Sequence, residues 1–273
     1  MGRALVYPKV ARNTVHRKKD RGKTCSDIAI CCSAVKLAGN YDLGTIHSIV
    51  NETPVCHVSF APDPADPFPA ILPMIGVMGS FDYPSASIDE PMDCYLHGYV
   101  SSRIMNLARA SDHGLPICVA ATRVDGLVLS LTPNSHSFNY RSAILHGYGS
   151  IVESVEEKLY AMQLITNSVV QNRWENTRTP PDAAEMQSTV ILRVKIVSGS
   201  GKIRDGGPHD DMKDQGRNDL TETIWTGVVP LWETLGEPVP GSLNRVEELP
   251  DHITRHRAEV NRRNEEYAKS AAA

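Results

Sequence analysis

Two hydrophobic rhythms run through the chain. Between residues 41 and 149, apolar runs of strand length follow one another: "TPVCHVSF", "FPAILPMIGVM", "DCYLHGYV", "ICVAATRV", "LVLSL" and "SAILHGYGSIV", with turn residues between them. Regularly spaced short strands with tight turns predict a barrel or sandwich. Asp125-Gly126 joins two alternating runs and predicts a hairpin turn. The rhythm then becomes helical. In "SVEEKLYAMQLITNSVV", Leu159, Met162, Ile165 and Val169 share one face behind the acidic first turn of Glu156 and Glu157. "STVILRVKIVSGSGKIR" reads as a further strand pair with "SGSGK" as its turn. From about Gly241 the chain is charged, and "HRAEVNRRNEEYAK" predicts a solvated or partner-packed helix.

One junction in this pattern is polar. In "DCYLHGYVSSRIMNLARA", residues 93 to 110, a strand ends at His97-Gly98 and a helix with Ile104, Leu107 and Ala108 on one face begins after Ser101, Ser102 and Arg103. Free backbone N–H groups, the positive helix end and a guanidinium would meet there, a combination suited to a phosphate. A capping serine beside a solvated arginine explains the same stretch equally well. A second cluster favours the phosphate: "NSHSFNYRSAILHG" puts Asn139, Tyr140, Arg141 and Ser142 at the entry of another strand. Two arginines at two strand ends, each with a hydroxyl beside it, suggest a clamp, because Arg binds phosphate bidentately.

Composition narrows the class. The 273 residues are 41% apolar with a net charge of −4, enough for a large core and unlike a nucleic-acid binder. The longest apolar stretch, "AILPMIGVMG", contains a proline and falls far short of the roughly 20 residues that span a bilayer. A cytoplasmic protein with no membrane or nucleic-acid partner is expected. The six cysteines show no CxxC pair and no zinc spacing, so reduced, buried thiols are expected and no metal. "SGSGK" lacks the first glycine of a phosphate loop, His252 and His256 lack the glutamate of a zincin, and no G-x-S-x-G elbow occurs.

The ordered segments from "YDLGTIHSIVNETPVCHVSF" through "AILPMIGV", "CYLHGYVSSRIMNL", "ICVAATRVDGLVLSLTPNSHSFNYRSAILHGYG", "NRWENTRTPP", "STVILRVKI", "SGKIRDGGPHDD" and "IWTGVVPL" carry a family resemblance. The chain resembles the flavin-nucleotide-binding proteins of the pyridoxamine 5′-phosphate oxidase-like group over about residues 41 to 235. The resemblance implies a mainly β fold with flanking helices, a six-stranded split β-barrel, usually a homodimer with FMN at the subunit interface. It divides the chain into a basic N-terminal extension (1–40), the FMN-binding barrel (41–240) and a charged helical C-terminal tail (241–273).

Carried over by position, the resemblance sets His97 and Gly98 on the ring side of the flavin and Ser101, Ser102 and Arg103 on its phosphate. Arg141 and Ser142 become a second phosphate and ribityl contact, and "LPMI", with Pro73, Met74 and Ile75, the strand facing the isoalloxazine. Trp225 sits where relatives bring an aromatic residue toward the flavin, a core or interface tryptophan being the alternative. Lys202 and Arg204 would approach from the partner subunit. His97 and Tyr140 are the candidate acid and base, with His136 behind them. The implied activity is FMN-dependent oxidation or reduction of a small molecule; the alternatives are a non-catalytic flavin carrier and, more remotely, a haem-binding barrel. Pyridoxamine phosphate oxidases anchor their substrate through a C-terminal Arg-Leu-His stretch, and the only comparable triplet here is Arg255-His256-Arg257, so the substrate is not inherited.

Overall fold

The computed structural model describes residues 5–8, 41–63 and 65–273. Its body is one antiparallel sheet of eight strands, two more than the resemblance implies. In chain order the elements are α1 (Leu43–Glu52), β1 (Cys56–Phe60), β2 (Ala70–Met74), β3 (Gly76–Gly79), β4 (Asp93–Tyr99), α2 (Arg103–Arg109), β5 (Leu115–Leu129) and β6 (Ser137–Ile151). They continue with α3 (Val155–Val169), α4 (Ala183–Ser188), β7 (Thr189–Arg204), α5 (Met212–Gln215), α6 (Asn218–Thr221), β8 (Gly227–Pro230) and α7 (Asp251–Ala271).

The strand order is β2-β1-β5-β6-β7-β4-β3, with β8 added beside β5. The two outer strands, β2 and β3, are consecutive in the chain and separated by Ile75 alone. The sheet must therefore curl until its edges meet, which gives a barrel closed by covalent chain instead of a complete hydrogen-bond ladder, the split-barrel form. Inward residues of alternating strands fill it: Val58, Leu96, Val119, Ala143, Leu145 and Leu192 are all inaccessible to solvent. Helix α1 packs across β3, β5, β6 and β7 and buries Ile46 and Val50. Asp42 caps it, its carboxylate accepting from the Thr45 N–H at 2.8 Å.

Two predicted turns are not turns. Asp125-Gly126 lies inside β5, where the register against β6 slips between Val124 and Gly126. The extra residue makes a bulge that turns the Asp125 side chain inward. "SGSGK" likewise lies inside β7, which runs unbroken from Thr189 to Arg204. Gly199 fits there because Leu145 and the Tyr7 ring occupy the place of a β-carbon, each at 2.9 Å. The predicted helix at α3 forms, but its buried positions are Glu157, Ala161 and Ile165, and Val169 is exposed.

Described residues toward both termini pack on the barrel. Tyr7 is buried, its N–H donates to the Tyr41 carbonyl at 2.8 Å, and its hydroxyl lies 2.7 Å from His47 Nε2. Helix α7 folds back on β5 and β8, burying Asn264, Ala268 and Ala271. Asn264 Nδ2 donates to the Glu233 carbonyl at 2.9 Å. Asn139 Nδ2 and the Gly206 N–H each donate to the Ala271 carbonyl at 2.8 Å. Cys56 and Cys94 are buried free thiols and Cys118 is half-buried, while Cys25, Cys31 and Cys32 lie outside the described residues. No described helix is long and apolar enough to cross a membrane.

Candidate functional site

Strand β4 pairs with β3 so that Leu96 faces Gly76. The ladder ends there, with Ile75 and His97 the next residue along each chain. The strand then turns through Val100 and Ser101 into α2, which buries Ile104, Met105 and Ala108. Ser102 has the backbone of an N-cap, φ −64° and ψ 147°, yet its side chain makes no capping bond. Its Oγ is shielded from solvent and has no hydrogen-bond partner. A buried hydroxyl left unmatched costs stability, which makes this atom the turn's candidate for a ligand's polar group. Gly98 lies against it: a β-carbon there would come within 3.6 Å of Ser102 Oγ and 2.9 Å of Met105 Cε. Arg103 is exposed and donates weakly, at 3.4 Å, to the Pro62 carbonyl of the β1–β2 loop. His97 is exposed on β4, and the chain around it desolvates the ring enough to lower its pKa below the usual value, which favours a neutral imidazole able to take up a proton. Pro73 and Met74 lie on the edge strand β2, opposite His57 and Cys56.

The remaining predicted residues stand elsewhere. Arg141 is buried, with Nε and Nη2 on the two oxygens of Asp125 at 3.1 and 3.0 Å and Nη1 on Glu52 at 2.7 Å. The Tyr267 ring of α7 stacks on the guanidinium at 3.5 Å. Burial alone would lower the Arg141 pKa, but the two carboxylates outweigh it and raise it. The two arginines therefore do not form a clamp within one chain, since Arg141 spends every nitrogen on Asp125 and Glu52. Nor do Arg141 and Ser142 act together: neighbours on a strand point to opposite faces, and Ser142 Oγ bonds the Lys202 carbonyl at 3.3 Å on the outer one. Tyr140 shares that outer face, with Lys202 Nζ 5.5 Å above its ring. Arg204 is buried and donates to Asn139 Oδ1. Trp225 is exposed, its ring lying where a Gly227 side chain would be. His136 is exposed and accepts from the Ser130 N–H at 3.0 Å.

A family model described as pyridoxamine 5′-phosphate oxidase matches residues 42–203, from the start of α1 to the end of β7. The chain belongs to this family. Among solved structures of the fold, the flavocytochrome Anf3 from Azotobacter vinelandii is 26% identical, with a TM-score of 0.64 over 80% of this chain and 92% of that one. The FAD and heme binding protein from Mycobacterium smegmatis is 24% identical, with a TM-score of 0.61 over 77% and 92%, a likeness of fold. No curated protein matches the chain. The family segment contains Ile75, His97, Gly98 and Ser102. It stops before β8 and α7, the helix whose Tyr267 covers Arg141.

A second set of polar residues was not foreseen from the sequence. Arg123 projects under α7, its Nη1 donating to the Glu52 carbonyl at 2.5 Å and its Nη2 3.6 Å from Glu233. No local motif marks it, because its partners are far away in the sequence.

Proposed function

We propose that the chain is a flavin-dependent oxidoreductase, holding FMN at the turn between β4 and α2 and working as a homodimer on a small-molecule substrate. The observation that carries this reading is the buried, partnerless Ser102 hydroxyl beside Gly98 in a chain of the pyridoxamine 5′-phosphate oxidase family. Ser102 would hydrogen-bond the cofactor's phosphate with Arg103 beside it, and Gly98 lets the Met105 side chain pack close against the turn that carries them. Ile75 and His97 would flank the ring, and the neutral His97 imidazole would accept or return a proton. The bound flavin supplies hydride and electron transfer. The dimer is supported by the outer face of the sheet, where Ile71, Val124, Ile144 and Tyr148 are all at least 40% exposed, more apolar surface than strands facing water ordinarily carry. A second copy there would bring Tyr140, Ser142 and Trp225 of one protomer toward the β4 turn of the other.

The test is flavin titration of the purified protein, followed by fluorescence quenching, with FMN and FAD in parallel. Tighter binding of FMN, lost in Ser102→Val, supports the reading; no flavin binding refutes it. A second reading, haem alongside the flavin, is favoured by the likeness to the Azotobacter flavocytochrome. A Soret band in protein purified from haem-replete cells distinguishes it.

A further inference from the structure

Beneath α7 lies a cleft of about 290 Å³, bounded on one side by the barrel at the end of α1 and at Ile75, and on the other by the C-terminal segment that follows the family match. Its rim is apolar. Val55, Val169 and Leu235 all stand in solvent around it, each at least 42% exposed, and Ile75 and Val260 continue the lining.

The polar groups facing the cleft are mostly donors. Asn51 uses its Oδ1 to accept from the Met78 N–H at 2.8 Å, which leaves its Nδ2 hydrogens for the cleft. His256 accepts from the Gln171 N–H through Nδ1 at 3.4 Å, so the neutral ring carries its proton on Nε2. Arg263 makes no hydrogen bond or ion pair among the described residues and lies close enough to His256 to help lower its pKa, after burial. Arg123 is nearly inaccessible, at 9% of its side chain.

The acids here are spoken for or remote: Glu259 feels the Arg263 charge, but both of its oxygens accept from Arg262. The Glu52 carboxylate accepts from Arg141, and Asp125 behind it is held by the same guanidinium. Glu233 stands 3.6 Å from Arg123 with its side chain 75% exposed, a distance and exposure at which water competes well.

We propose that this cleft binds a small organic anion, a compact apolar body carrying one carboxylate or phosphate, with Arg263 and Arg123 as its charge partners and Asn51 as a further donor. The apolar rim takes the body, and the donor-rich wall takes the acceptor-only head. That the anion is the substrate rests on the flavin reading, in which Ile75 borders both the cleft and the ring; binding of the anion does not.

Calorimetric titration of the full-length protein with benzoate, phenyl phosphate and benzyl alcohol tests it, with flavin content read from the absorption spectrum of the same samples. At least one anion should bind tenfold or more tightly than the alcohol, and the tighter of the two identifies the head group. Arg263→Gln, an exposed change without a broken contact, should weaken that anion about tenfold and leave the alcohol unchanged. Equal binding of alcohol and anions, anion binding indifferent to Arg263→Gln, or no anion binding to flavin-loaded protein would overturn the proposal. Anion binding by protein that takes up no flavin would leave the cleft standing and remove the flavin reading instead.

Discussion

Replacing Arg141 with Met separates a ligand contact from a structural one. In the wild-type chain the Arg141 and Asp125 side chains are only 7% and 5% exposed, and their fork of two hydrogen bonds is completed by Glu52 at 2.7 Å and by the Tyr267 ring. Met fills much of the same volume but leaves the Asp125 carboxylate buried without its cation. Breaking a buried pair in this way costs about 3–5 kcal/mol, and losing the ring contact costs up to about 2 kcal/mol more. At roughly 2 °C per kcal/mol for a chain of this size, the midpoint of thermal unfolding should fall by about 6–14 °C. The double variant Arg141→Met with Asp125→Leu removes both charges, and because a packed apolar pair is often as stable as a buried ion pair, most of the loss should return. Circular dichroism melts of the single and double variants give the answer, with a flavin titration of each at 10 °C below its own midpoint. An unchanged midpoint in Arg141→Met together with lost flavin affinity would refute the structural role and return Arg141 to the cofactor.

Removal of the Ser102 hydroxyl by Ser102→Val should weaken flavin binding about ten- to a hundredfold, a charge-assisted bond being worth about 1.5–3 kcal/mol, while the unliganded protein keeps or gains stability because a partnerless buried hydroxyl is gone. Flavin affinity and the apoprotein melt, measured side by side, check both halves. His47 is buried and neutral, burial lowering its pKa from the ordinary value, so the unfolded chain binds a proton there that the native chain refuses. Stability should therefore be full above about pH 6.5 and decline as pH falls below it, a slope that urea unfolding would show and that His47→Gln should flatten. Ile144→Glu places a charge on the exposed outer face of β6 and should turn the proposed dimer into a monomer by light scattering with little change in the circular dichroism spectrum.

The barrel was legible because strand alternation and helix periodicity are local signals. The two mistaken turns have a common physical cause: a glycine reports a backbone that must twist or approach closely, without saying whether the chain reverses. At Asp125-Gly126 the twist serves a bulge inside β5, and Val228 Cγ1 lies 2.9 Å from where a Gly126 side chain would begin. At "SGSGK" the small residues admit Leu145 and Tyr7, a residue from the far N-terminus that no local rule connects to β7. Helix α7 was expected to be solvated or partner-packed because the segment is charged, and its contact stripe of Asn264, Ala268 and Ala271 is small and polar. It lies against the barrel through hydrogen bonds to main-chain carbonyls, and such a face has no hydrophobic signature.

For the site, what could be read is what the chain makes locally. Gly98, Ser102 and Arg103 stand within six residues, and their strand-turn-helix context sets their geometry, so the sequence alone puts the Ser102 hydroxyl at a polar junction. Arg141 was read as a cofactor contact because an arginine beside a serine at a strand entry looks like half a clamp, and the signal against it was present. On a strand with Asn139, Arg141, Ala143 and Leu145 at alternating positions, an inward Ala143 and Leu145 imply an inward Arg141, and an inward arginine requires buried acids. The sequence does not say which acids, since Glu52 and Asp125 lie on other elements. Once both are seen to engage it, Ser142 and Tyr140 remain on the outer face without it. Whatever binds there meets hydroxyls and the exposed Ile144 and Tyr148 side chains, a surface whose chemistry suits another protein chain better than a phosphate.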